Sequence, residues 1–127
     1  IKHFFFFFIF TGKPDVVNAV KEMMLNTTEQ SLCNTLYALS IHKETCSSLP
    51  EIHVPVLILV GKEDKITPPA AARLMHEKIR ESSLSILELA GHLGNLESPH
   101  EFNFKIKKFM HQVANKPFQL KSAFGTW

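Results

Sequence analysis

Residues 51–113 predict an α/β fold built on parallel strands, and three observations carry that prediction. Val54-Pro55-Val56-Leu57-Ile58-Leu59-Val60 is a continuous apolar run rich in β-branched residues. That is the pattern of a strand covered on both faces, as parallel strands are. Two segments with apolar residues at helical spacing each follow a strand-like run. Strand and helix therefore alternate, which is the order of a parallel sheet. Two parallel strands are too little sheet to be stable by themselves. The expectation is an incomplete α/β domain whose remaining strands come from elsewhere.

The elements follow in chain order. Residues 1–13 form an atypical Phe-rich segment. Its apolar run, Phe4–Phe10, is seven residues long, against about 20 for a membrane span, and no small-residue cleavage pattern follows it. Pro14-Asp15 then opens a helix with Val16, Val20, Met23 and Met24 on one face, ended by Asn26-Thr27-Thr28. A second helical pattern carries Leu32, Cys33, Leu36, Tyr37 and Ser40 and ends near His42. Residues 14–48 thus read as a helical pair, with core packing as the expected role of Cys33, Tyr37, Met23 and Met24, and with Thr45–Pro50 as a connecting loop.

Residues 49–115 read as the strand–helix–strand–helix core. The first strand stops at Gly61. Thr67-Pro68-Pro69 opens a helix, with Thr67 as N-cap and Pro68 in the first turn, burying Ala71, Leu74, Met75 and Ile79. Leu84–Leu89 is the second strand, followed by Ala90-Gly91-His92. Ser98-Pro99-His100-Glu101 is a capping box, and the helix it starts places Phe102, Ile106, Phe109 and Val113 on one face. Residues 116–127 read as a loose tail.

Composition narrows the partners. The 127 residues are 45% hydrophobic and 20% charged, as in an ordinary globular domain. Fourteen basic against 12 acidic side chains leave a net charge of +2, too even to propose a nucleic acid or an anionic membrane. Lys105-Ile106-Lys107-Lys108 is read as a solvated helix face. Cys33 and Cys46 are too few for a disulfide framework. As free thiols they suggest a reducing, cytoplasmic compartment. His76-Glu77 has Arg80, and His100-Glu101 has Phe104, where a helical zinc motif needs its second His. With no Cys-x-x-Cys and no Gly-rich phosphate loop, no metal, nucleotide or flavin cofactor is expected, and the expected partner is a small-molecule substrate.

The chemistry is sought beyond the carboxyl ends of the strands, where parallel sheets hold their catalytic groups. Asp64 follows the first strand through Gly61-Lys62-Glu63, and His92 follows the second through Ala90-Gly91. One helix-and-strand crossover separates them, so neighbouring strands would set both on one rim. A neutral imidazole takes a proton from a nucleophile through one ring nitrogen, and a carboxylate on the other nitrogen fixes the tautomer. Glu63 is an alternative acid, and Asp64 has a turn-forming reading too. Glu97, near the start of the last helix, is read as structural, its charge suiting the helix dipole.

"VPVLILVGKEDKITPP" and "LELAGHLGNLESPHEFNFKIKKF" together resemble the C-terminal part of the α/β-hydrolase superfamily: its acid-bearing strand end, then its last strand, histidine loop and final helix. By that resemblance Asp64 is the triad acid, His92 the triad base, and residues 14–48 the helical cap that precedes the acid-bearing strand. The family orders nucleophile, acid, histidine, with the nucleophile in a Gly-x-Ser-x-Gly turn. The glycines here are Gly12, Gly61, Gly91, Gly94 and Gly125, and no serine lies between two of them at that spacing. The oxyanion-hole segment is absent as well. The expectation is therefore a nucleophile encoded upstream of residue 1, and a hydrolase of ester-like or other acyl substrates. With a carboxylate nucleophile the same fold would open epoxides or cleave carbon–halogen bonds. The absent nucleophile turn also motivates a different class, a non-catalytic α/β piece or interaction module.

Overall fold

Pro55 decides where the first strand begins. It has no N–H to give to a ladder, and pairing starts one residue later, with the Val56 N–H donating to the Glu81 carbonyl at 2.9 Å. The computed structural model describes residues 13–115. The expectations for the Phe run and for the tail at 116–127 lie outside them.

Strand β1, Val56–Gly61, pairs in parallel with β2, Ser82–Leu87, in a register running from Val56 opposite Ser82 to Gly61 opposite Leu87. The second strand thus sits two residues earlier than expected. Ser82, Ser83 and Ser85 carry little strand signal, yet the Ser82 hydroxyl donates to the Ile79 carbonyl at 2.7 Å and turns the chain into the ladder. Leu89, expected in the strand, is exposed, whereas Ala90 just beyond it is fully buried.

Helix α3, Pro69–Lys78, makes the crossover between the strands. Its N-cap is Pro68, not Thr67. A residue that precedes proline is barred from the helical region, so Pro68 stays extended, at φ −65° and ψ 158°, and the helix starts at Pro69. Thr67 is left for the site described below. Ile79 is buried as expected, but the rest of the buried face differs: Ala72 is buried, while Ala71, Leu74 and Met75 are exposed. In the run Ala70-Ala71-Ala72, side chains of one size and polarity give no sign of which faces the sheet.

Alternation along a strand sends successive side chains to opposite faces. Ile58 and Val60 go to one face and form the core with Ala72 and Ile79, joined by half-buried Val56, Leu84 and Ile86. Leu49 and Ile52 pack there as well, which explains why Cys46–Glu51 is a 3₁₀ helix rather than the plain loop expected. Full burial of an aliphatic side chain is worth about 1.5–3 kcal/mol, so these residues carry much of the stability. Half-buried Leu57 and Leu59 go to the other face. Helix α5, Pro99–Asn115, lies against both strands without contributing to the core cluster. Phe102, Ile106 and Phe109 are half-buried along it, with Val113 at the exposed end.

Helices α1, Pro14–Leu25, and α2, Glu29–Ser40, have no buried side chain. Thr28 caps α2, accepting the Ser31 N–H at 3.2 Å. Cys33 is exposed, Tyr37 is 67% exposed and Met23 62%, so the core role expected for them is overturned. Helical periodicity identifies a face but not what covers it. No helix among the described residues is long and apolar enough to cross a membrane.

Candidate active site

The carboxyl ends of β1 and β2 are stitched together by backbone. The Lys62 N–H donates to the Leu87 carbonyl at 2.9 Å, and the Glu63 N–H to the Ala90 carbonyl at 3.0 Å. Gly61 lets the two turns close up. A Cβ there would lie 2.1 Å from the Gly91 carbonyl oxygen and 2.4 Å from that of Ala90. Its φ is not positive, so glycine is needed for space and not for backbone freedom.

Asp64 sits at the turn that β1 leads into, with its side chain 5% exposed. Oδ1 accepts the N–H groups of Ile66 and Thr67, each at 2.9 Å, and Oδ2 accepts the Thr67 hydroxyl at 2.8 Å. This is an Asx turn, in which an aspartate bonds to the backbone just ahead of it. Turn-forming and facing the histidine therefore coexist in one residue. The His92 ring, 36% exposed, places Nδ1 3.0 Å from Asp64 Oδ2 and 3.2 Å from Oδ1. Thr67 Oγ1 is 3.3 Å from the same nitrogen. Since the Thr67 hydroxyl hydrogen serves Asp64, Nδ1–H is the donor that satisfies the carboxylate, and Nε2 is the ring's proton-accepting nitrogen. Among the described residues no hydrogen bond is made to Nε2. Glu63 is exposed and takes no part in this contact.

Burial alone would push the Asp64 carboxyl up. The hydrogen bonds from the Thr67 N–H, the His92 ring, the Thr67 hydroxyl and the Ile66 N–H hold the ion and prevail, so the pKa lies below its ordinary value. A carboxyl depressed in the folded state adds stability above the unfolded pKa of about 3.9, and that stability disappears as pH falls through the lower folded value. Urea unfolding from pH 5 to pH 2 is therefore expected to show a steeper loss of stability for the wild type than for Asp64→Asn. Equal slopes would mean that Asp64 makes no such contribution.

Beside the pair, Lys62 Nζ lies 2.6 Å from Glu88 Oε2, an exposed ion pair across the two strand ends. Glu88 raises the Lys62 pKa through its hydrogen bond and its charge.

Glu97 is structural and stands two residues before α5, as expected, but its charge serves a loop rather than the α5 dipole. It ends a short helix α4, Gly94–Glu97, and is fully buried. Its Oε2 accepts the Gly91 N–H and its Oε1 the Leu93 N–H, each at 2.9 Å. The Lys13 ammonium donates to the Glu97 carbonyl. One signal was available, an acid one helical turn after Leu93 that can fold back on it. The helix that produces this fold-back is only four residues long, too short to show a periodic pattern.

The family of α/β-hydrolases described as "TAP-like protein" matches residues 19–113. A 3-oxoadipate enol-lactonase 2 from Acinetobacter baylyi is 28% identical over 97 residues, 76% of this chain and 36% of that protein. A proline iminopeptidase from Saccharolobus solfataricus is 37% identical over 70 residues, 55% of this chain and 22% of that protein. A thermophilic esterase from Thermogutta terrifontis superposes with a TM-score of 0.78 at 26% identity, covering 82% of this chain and 38% of the esterase. An esterase from Exiguobacterium antarcticum superposes at 0.74 with 25% identity, covering 87% and 41%. The chain thus spans between 22% and 41% of the length of these four proteins. The match over residues 19–113, with the parallel strands and their closely fitted turns, makes this chain a member of the α/β-hydrolase superfamily.

Proposed function

We propose that Asp64 and His92 are the acid and base of a hydrolase acting on ester-like or other small acyl substrates, and that the nucleophile lies on polypeptide outside these 127 residues. The observation that carries this reading is the 3.0 Å contact between Asp64 Oδ2 and His92 Nδ1, which leaves Nε2 to accept a proton. The chemistry follows from that polarity. Nε2 takes the nucleophile's proton as the nucleophile bonds to the acyl carbon, and Asp64 stabilises the imidazolium. The imidazolium returns the proton to the departing alcohol. His92 then deprotonates a water that releases the acid and frees the nucleophile. No metal or organic cofactor enters any of these steps. The esterases and the lactonase among the similar proteins support an acyl substrate. Residues 14–48 fit a cap beside the site, and the Lys13 bond to the Glu97 carbonyl, just before α1, supports that placement.

The test is a chimera in which this chain replaces the matching part of the Thermogutta terrifontis esterase, assayed on an activated ester. Turnover well above the uncatalysed rate is expected. A folded chimera without turnover would favour the non-catalytic reading, which the absence of a Gly-x-Ser-x-Gly turn motivates.

A further inference from the structure

We infer that Glu97 is a positioning residue for His92: its buried carboxylate grips the backbone on both sides of the histidine and sets the ring against Asp64. The inference rests on the reading of His92 as the base. His92 belongs to no strand or helix, so its backbone must be held by contacts other than a ladder. Those contacts come from Glu97. One oxygen accepts the N–H of the residue before His92 and the other the N–H of the residue after it, both at 2.9 Å.

A carboxylate suits this task because it only accepts, and it offers one oxygen to each amide. Such charge-assisted bonds are about twice as strong as neutral ones. They contribute to offsetting the cost of burying the charge, and Glu97 is 0% exposed. The α4 turn delivers the side chain, since the Glu97 N–H donates to the Leu93 carbonyl at 2.9 Å and brings Glu97 back over Leu93. From the other side the loop meets Gly61, where the nearest backbone atoms leave no room for a Cβ. The histidine backbone is thus pinned from below by β1 and from the side by Glu97. With it pinned, the ring reaches Asp64 without a search.

Glutamine tests this with almost no change of shape. Its single oxygen can serve only one of the two amides, and its NH₂ would confront the other N–H. The measurement is NMR on the full 127-residue chain. In the wild type, the Gly91 and Leu93 amides are expected to be protected from exchange and the His92 Nδ1 proton to be visible. In Glu97→Gln, exchange at one or both amides should quicken on the order of ten- to a hundredfold. The Nδ1 proton should broaden or vanish, while protection at Ile58 and Val60 persists. A Glu97→Gln chain that keeps the Nδ1 proton unchanged overturns the inference, since Glu97 then merely closes a turn, and it leaves the reading of His92 standing. Should Glu97→Gln lose the strand ladder, an amide-to-ester replacement at Leu93 deletes one donor and keeps every side chain. The Nδ1 proton is expected to weaken there too, and an unchanged signal overturns the inference. A wild type lacking the Nδ1–Asp64 bond overturns both the inference and the reading beneath it.

Discussion

His92→Ala is expected to lower kcat of the esterase chimera on the order of 10⁴- to 10⁶-fold, with KM little changed. The reason is specific to the geometry. On the proposed reading the nucleophile's proton goes to Nε2, because Nδ1 is committed to Asp64 at 3.0 Å. Asp64→Asn should cost about 10⁴-fold by another route. Its oxygen would still accept the Ile66 and Thr67 N–H groups and keep the turn, but its NH₂ would face Nδ1. The ring would then carry its proton on Nε2 and could accept none from the nucleophile. Steady-state kinetics on the two variants and the parent chimera check this. A loss of less than tenfold for His92→Ala would remove the histidine from the chemistry.

Gly61→Ala should be the most damaging small change to the fold, costing about 3 kcal/mol. The added methyl would meet the Gly91 oxygen at 2.1 Å, the Ala90 oxygen at 2.4 Å and the Ala90 carbonyl carbon at 2.7 Å. All three are backbone atoms, held close by the Lys62–Leu87 and Glu63–Ala90 hydrogen bonds, and cannot swing aside as a side chain does. Gly94→Ala makes the fitting comparison, because its methyl would meet chiefly Leu87 Cδ1, at 2.6 Å, the end of a side chain. Urea denaturation of the two variants should rank Gly61→Ala well below Gly94→Ala. Equal midpoints would mean that the turns are not held as tightly as the hydrogen bonds imply.

What could be read in advance was whatever is written in local pattern. The Val56–Val60 run names a buried parallel strand by its β-branched, unalternated composition, and Pro99 after Ser98 marks the start of α5. Asp64 and His92 could be paired because parallel strands put their carboxyl ends on one rim, a consequence of topology that needs no coordinates. The failures share a cause, which is that they depend on what lies opposite in space. Leu84–Leu89 looked like the better strand because serines conceal strands, and only the register with Val56 shows that Ser82 belongs. The α1 and α2 stripes promised a core, but Tyr37 and Met23 are exposed. Thr67 had the composition of a helix cap and instead serves Asp64, since the Pro68-Pro69 pair moves the helix start past it. Glu97 could be read as structural, but its grip on the Gly91 and Leu93 amides could not, because a buried acid on two loop amides leaves no repeat or motif to count.

The most direct test of the account is the tautomer of His92, read from the ¹⁵N shifts of its two ring nitrogens in the full chain at neutral pH. A proton on Nδ1, bonded to Asp64, and a bare Nε2 are expected. A neutral ring protonated on Nε2, with Nδ1 turned away from the carboxylate, would contradict it.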